Sequence, residues 1–211
     1  MAQLLDIHTH LHSTAWNSVY SLRLGVDSST PTAPYSAAIH PWDCEVLWPL
    51  REELLALLEG LPVIAVGETG IDNVAKVDRD KQAEIFRRQL QIAHRRQLPV
   101  ILHSVHSVGE VLRRLRAEQV ERAVFHGFTG NYLSAAEILS AGFFISFGER
   151  SLHSPKTVDT LGRMPVDRLF LESDESNAPI EELYAAVAAI RHISPKELTE
   201  EVEQNYNRLF R

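Results

Sequence analysis

Cysteine is nearly missing from this sequence: Cys44 stands alone among 211 residues. An internal disulfide and a thiolate zinc cage are therefore both excluded, and the composition suits a reducing, cytoplasmic setting. Nothing around Cys44 marks it as an activated nucleophile. Long apolar runs are missing too, so no membrane span is expected, and the first residues lack the pattern of a signal peptide. There is no GxGxxG or GxxxxGK[ST] element, which removes the usual support for a nucleotide-binding doubly wound sheet. Positive charge is scarce: 21 Lys and Arg face 28 Asp and Glu, a net charge of −7. That balance argues against coating nucleic acid through a broad basic face, although one phosphate gripped locally remains compatible.

What is present reads as an ordinary globular chain, 45% hydrophobic and 23% charged, expected to form one domain over residues 1–211. Short β-branched apolar runs predict strands at Leu4–His8, Val19–Leu24, Ser36–His40, Val63–Glu68, Val100–His103, Ala123–His126, Phe143–Phe147 and Leu169–Glu172. Helical spacing lies between them, as in Ala83, Phe86, Leu90 and Ala93, in Val108, Val111, Leu112 and Leu115, and in Ile180, Leu183, Val187 and Ile190. Ser194, Pro195 and Glu197 spell the start of a last helix, and Gly60 and Gly142 mark helix ends. Strand–helix alternation along a whole chain means a parallel sheet. Seven or eight strands at this length predict a compact (β/α) TIM-type barrel, trimmed where residues 12–35 leave no room for two full helices.

Ten histidines are the informative excess. The run "LLDIHTHLH" crowds His8, His10 and His12 beside Asp6, and a spacing of two in an extended segment points His8 and His10 to one face. His103 and His126 end two later predicted strands, Glu68 ends another, and Asp174 follows the last. In a (β/α) barrel, strand carboxyl ends open on one face, so all six residues would converge there. Neutral imidazoles and carboxylates suit zinc, manganese or magnesium. Six such groups are too many for one catalytic zinc with an open position, and they suit two divalent metal ions sharing a carboxylate. Two such ions, set against two carboxylates and an attacking hydroxide, leave the mouth slightly positive and favour an anionic substrate.

The ordered motifs "DIHTHL", "AIHPWD", "VGETGID", "PVILHS", "VFHGFTG", "FLESD" and "NYNRLF" resemble the TatD family of metal-dependent deoxyribonucleases, within the amidohydrolase-like barrels. The resemblance runs the length of the chain and implies a metal-dependent hydrolase that cleaves phosphodiester bonds. It implies that His8 and His10 hold one metal with Asp174, that Glu68 bridges, and that His103 and His126 hold the second. Asp174 and Glu68 are then the catalytic carboxylates, with Asp174 orienting or deprotonating water. The chain is shorter than typical members, and it reads "SDESNAP" where many read TDAP, placing Glu175 beside Asp174 as an extra charge that would repel phosphate or alter metal preference.

His40 and Arg150 are expected substrate contacts, and Ser104 and Thr129 expected donors to the ligands. Trp16, Trp42 and Trp48 either line a mouth or pack. His94, His153 and His192 sit in helical or loop settings that suit the surface. The expected substrate is a small molecule or a short single-stranded nucleic acid, without stable duplex binding. A phosphomonoester, lactone or amide substrate, a relationship to the polymerase-and-histidinol-phosphatase group, and a non-catalytic metal-bound barrel stay open at this point.

Overall fold

The computed structural model describes residues 3–11, 17–29, 31–32 and 34–211. His12 and Trp16 lie outside the described residues. Eight strands form one sheet in sequence order: β1 (Asp6–Thr9), β2 (Ser18–Arg23), β3 (Tyr35–Ala38), β4 (Ala65–Asp72), β5 (Val100–Val105), β6 (Ala123–Phe125), β7 (Phe144–Phe147) and β8 (Leu169–Leu171). Every pairing is parallel. The helices are α1 (Arg51–Gly60), α2 (Arg79–Arg96), α3 (Val108–Ala117), α4 (Tyr132–Ser140), α5 (Glu149–Leu152), α6 (Pro155–Arg163), α7 (Ile180–Arg191) and α8 (Pro195–Phe210). All eight strands fall on the apolar runs that predicted them. Those runs scarcely alternate because barrel strands are covered on both faces, and β1, β3, β7 and β8 are buried throughout. The barrel is trimmed as the short 12–35 segment predicts: among the described residues no helix separates β1 from β2 or β2 from β3.

The barrel closes through one residue. β8 and β1 share no ladder, but Asp174 accepts from His10 N at 2.9 Å and donates its own N–H to His8 O at 3.0 Å. Asp174 makes this bridge in the left-handed region, at φ 54°, a conformation that aspartate tolerates better than most residues. Beneath it, the buried Asp6 carboxylate accepts from Ser173 N at 2.9 Å and Ser173 Oγ at 2.7 Å. Tyr184 of α7 ties its hydroxyl to both backbone groups of Leu5. The seam is held by polar groups rather than by strand pairing.

Helix α2 sets two strand ends. Gln82 and Gln89, seven residues apart and fully buried, lie on one helix face. Gln82 accepts from Asp72 N and donates to Asp72 O, while Gln89 does the same for Ile39. These amides satisfy backbone groups of Asp72 and Ile39 that no neighbouring strand takes, and they fix the segments carrying His40 and Asp72.

All eight strands differ from expectation at one or both ends, mostly by one or two residues, and the shift that matters for the site is at the ends of β4 and β5. β4 runs past Glu68 to Asp72, and β5 past His103 to Val105. The cause is an irregularity between Val66 and Thr69, after which Thr69–Asp72 pair again with Leu102–Val105. Glycines and polar residues there end the apolar run, so the sequence reads as if the strand stopped. A bulge of this kind re-aims a side chain, and Glu68 sits within it.

Gly70 permits the resumed pairing. Its φ is 153°, and a Cβ there would stand 1.9 Å from His103 O. Gly70→Ala is therefore expected to cost at least ~1–3 kcal/mol, the scale of enforced backbone strain. Gly60→Ala, where nothing lies within 4 Å, should change denaturant unfolding little. Equal midpoints for the two variants would contradict this reading.

Candidate metal centre

The carboxyl ends of the strands bring five imidazoles around one carboxylate. Glu68 is buried, and its two oxygens divide the histidines between them. Oε2 lies 3.3 Å from His8 Nε2 and 3.3 Å from His10 Nε2. Oε1 lies 2.5 Å from His103 Nδ1, 2.6 Å from His126 Nε2 and 3.1 Å from His40 Nε2. Asp174 Oδ1 stands with the first pair, 3.7 Å from His8 and 3.9 Å from His10. Ligand-type atoms cluster in three triads: His8–His10–Asp174, His8–Glu68–His126 and His40–Glu68–His103.

The donor set fits cations. His8 is fully buried, yet neither ring nitrogen has a hydrogen-bond partner. Its approach to Glu68 meets the distance of an ion pair but not the geometry of a hydrogen bond. A buried imidazole in that state is costly unless another electron-poor group takes its lone pair. His103 and His126 show the same logic from the other side. His103 Nε2 is 3.1 Å from Asp72 Oδ2, and His126 Nδ1 is 3.3 Å from Glu172 Oε1. In the neutral rings each outer carboxylate would accept the outer N–H, and the inner nitrogen's lone pair would face Glu68 Oε1. Two electron-rich atoms at that separation need a cation or a proton between them.

His40 is different. Its Nδ1 accepts from Trp42 N at 3.2 Å, so in the neutral ring the proton sits on Nε2, the atom facing Glu68. Burial lowers its pKa against the pull of Glu68, keeping it neutral. In that tautomer His40 presents an N–H, not a lone pair, to Glu68.

The electrostatics follow from burial and these contacts. Burial alone would raise Glu68, but the charge of His126 and the hydrogen bonds from His10, His103 and His126 carry it well below its ordinary range. Burial alone would lower His126, but Glu68 and Glu172 hold its proton well above the usual imidazole value. His10 is raised, its burial outweighed by Glu68 and Asp174. Asp72 is pushed up by burial but brought down to about 2 by bonds from Trp42, His103, Val74 and Ala75. Burial pushes Asp6 up to about 6 and the Cys44 thiol up to about 12, which leaves Cys44 inert.

Other sequence-selected residues fall outside this cluster. Arg150 is exposed on α5, and Glu175 is exposed after Asp174. Ser104 bonds to Ser107 rather than to a ligand, and Thr129 is exposed. Trp48 is half-buried under Arg51, and His94, His153 and His192 are exposed. Asp72 and Glu172 were missed as functional groups. The signal was there: each is a carboxylate inside or beside a fully buried strand, a position that requires a partner.

A buried carboxylate ringed by imidazoles at the mouth of an eight-stranded parallel barrel is a site of the kind that metal-dependent hydrolases use. Residues 27–211 match the family model described as TatD related DNase, and the chain belongs to that family. It is 31% identical over 186 residues to the uncharacterized metal-dependent hydrolase YabD of Bacillus subtilis, covering 77% of this chain and 72% of that one. An uncharacterized metal-dependent hydrolase of Buchnera aphidicola is 32% identical over 155 residues, 66% of this chain and 58% of the relative. This chain thus matches little more than half the length of the Buchnera protein. The crystal structure of YjjV, a TatD homolog from Escherichia coli, superposes with a TM-score of 0.82 at 22% identity, covering 99% of this chain and 98% of that one.

The outer carboxylates generate an expectation. Asp72→Asn and Glu172→Gln keep shape but lose the charge that orients His103 and His126, so zinc affinity measured by chelator competition should fall about 10–100-fold. An exposed-histidine control, His153→Ala, should match the wild type. Unchanged affinity in both carboxylate variants would remove their assigned role.

Proposed function

We propose that the chain is a two-metal phosphodiesterase acting on short single-stranded nucleic acid or small diesters. The observation that carries this is the division of Glu68: one oxygen faces His8 and His10, the other His103 and His126. That arrangement supports one ion held by His8, His10 and Asp174, a second held by His103 and His126, and Glu68 shared between them. Two divalent ions would lower the pKa of water and neutralise charge developing on attacking and leaving oxygens. The family description as a DNase supports the phosphodiester.

The chain's own groups take defined parts. Asp174 is half-buried beside His8 and His10, where its carboxylate can orient water and accept its proton. Glu68 holds the two halves together. His40 directs an Nε2 proton into the site and can donate to a substrate oxygen. Arg150, at the same end of the barrel, offers an exposed cation for a flanking phosphate.

One observation favours a second reading. Asp72 and Glu172, both held in the charged form, add two negative charges that the ligand count from sequence omits. The mouth then has no net positive excess, and a neutral ester such as a lactone is accommodated as readily. A panel of bis(p-nitrophenyl) phosphate, p-nitrophenyl phosphate and a lactone separates these. Turnover of the diester alone supports the first reading, and turnover of the lactone alone overturns it.

Metal loading should approach two ions per chain and fall in His8→Ala and in His103→Ala. Full occupancy in a Glu68→Ala, Asp174→Ala double variant would sink the ligand assignment. Because His126 binds its proton tightly in the metal-free protein, loading at pH 7 must expel it. About one proton or more should be released per chain, and affinity should rise with pH until that imidazole is deprotonated. Buffers of different ionisation enthalpy read this directly by calorimetry. Asp174→Asn removes a base while keeping shape, so kcat should drop at least ~10²-fold with metal partly retained. Activity surviving Asp174→Asn but lost in Glu175→Ala would move the base to the neighbouring residue.

A further inference from the structure

We infer that Trp42 is a stacking platform for the nucleobase adjacent to the scissile phosphate, so that this residue sets the preference for base-bearing substrates. The inference rests on the phosphodiester reading. Trp42 belongs to the short turn Pro41–Asp43 that follows β3 and His40. Its backbone N–H goes to His40 Nδ1 at 3.2 Å, and its indole N–H goes to Asp72 Oδ2 at 2.7 Å. Asp72 is itself fixed by Val74 N and Ala75 N. The ring is therefore pinned at both ends.

The orientation is the reverse of the usual one. A surface tryptophan normally packs its apolar body and leaves its N–H wet. Here the N–H is spent on a buried carboxylate, and the residue is still 48% exposed. The ring lies 4.7 Å from His40 and 5.4 Å from His103 between centroids, at 74° and 78°. Both contacts are steep. Among the described residues no aromatic ring stacks parallel on the indole and no cation sits over it. A rigid, open aromatic surface lies one ring's width from the imidazole of His103.

A planar aromatic group is the occupant that this surface recognises. The proximity to His103 restricts it to the group bonded next to the reacting ester, which in a nucleic acid is the neighbouring base. Stacking is tolerant of base identity and works without a basic groove, which suits a chain of net charge −7. Because the indole is immobilised before binding, little ordering cost remains.

Two measurements test this on the wild type, Trp42→Ala and Trp42→Phe. The first compares kcat/KM for dithymidine phosphate with two analogues, each abasic on one side of the same diester. One abasic analogue should be slower by about tenfold or more in the wild type. Most of that ratio should vanish in Trp42→Ala and survive in Trp42→Phe. The second titrates zinc-loaded protein with thymidine 5′-monophosphate and with deoxyribose 5-phosphate. The nucleotide should bind about tenfold more tightly or better, with the advantage lost in Trp42→Ala and kept in Trp42→Phe. Equal affinity for the two ligands in the wild type, or equal losses in the Phe and Ala variants, would overturn the platform. Diester turnover that is indifferent to base and to residue 42 would do the same while leaving the phosphodiesterase intact. Preferential nucleotide binding without any diester turnover would instead keep the platform and remove the reaction.

Discussion

A single buried carboxylate organises this molecule. Glu68 lies within 3.3 Å of five imidazole nitrogens drawn from both halves of the chain. A charge in such a place is tolerated only when compensated, and each neighbour is there to compensate it. The β4 irregularity turns Glu68 inward, Gly70 lets β5 come close enough to bring His103 to it, and Asp174 closes the barrel beside His8 and His10. Loss of any one of these would leave a buried charge short of partners rather than merely a weaker core.

Around that centre is a second ring of groups whose work is orientation. Asp72 holds His103, Glu172 holds His126, and the Trp42 backbone holds His40. In the neutral rings the first two would turn lone pairs inward and the third a proton. Chemically similar imidazoles thereby take opposite roles, set by what their outer nitrogen meets. Helix α2 extends this control outward through Gln82 and Gln89, whose amides grip the backbone just where Asp72 and Ile39 leave the sheet. These are expensive groups to bury, and their use here rather than leucines marks where strand ends must be placed accurately.

Much of the architecture could be read from the chain. Eight apolar runs located eight strands because strands covered on both faces need continuous apolar sequence. The six ligand-type residues stood out because polar groups end those runs. What escaped notice did so for physical reasons. The continuation of β4 through "ETGID" is hidden because glycine and charge replace the apolar signal while the backbone ladder goes on. The separate role of His40 depends on a backbone N–H two residues ahead, which no residue pattern announces. The charge count at the mouth left out Asp72 and Glu172, because their contacts with His103 and His126 arise only in the fold.

The closure of the barrel by Asp174 has a consequence for how the molecule comes together. The same peptide unit that joins β8 to β1 also delivers a carboxylate to His8 and His10. Contacts between positions 8 and 174 are among the longest-range that the described residues make, and such contacts carry a large loop-closure cost. An incompletely wound barrel keeps Glu68, His103 and His126 together on β4–β6 but leaves His8 and His10 without Asp174. An ion captured by the His8–His10–Asp174 group would thus certify completed winding at the seam.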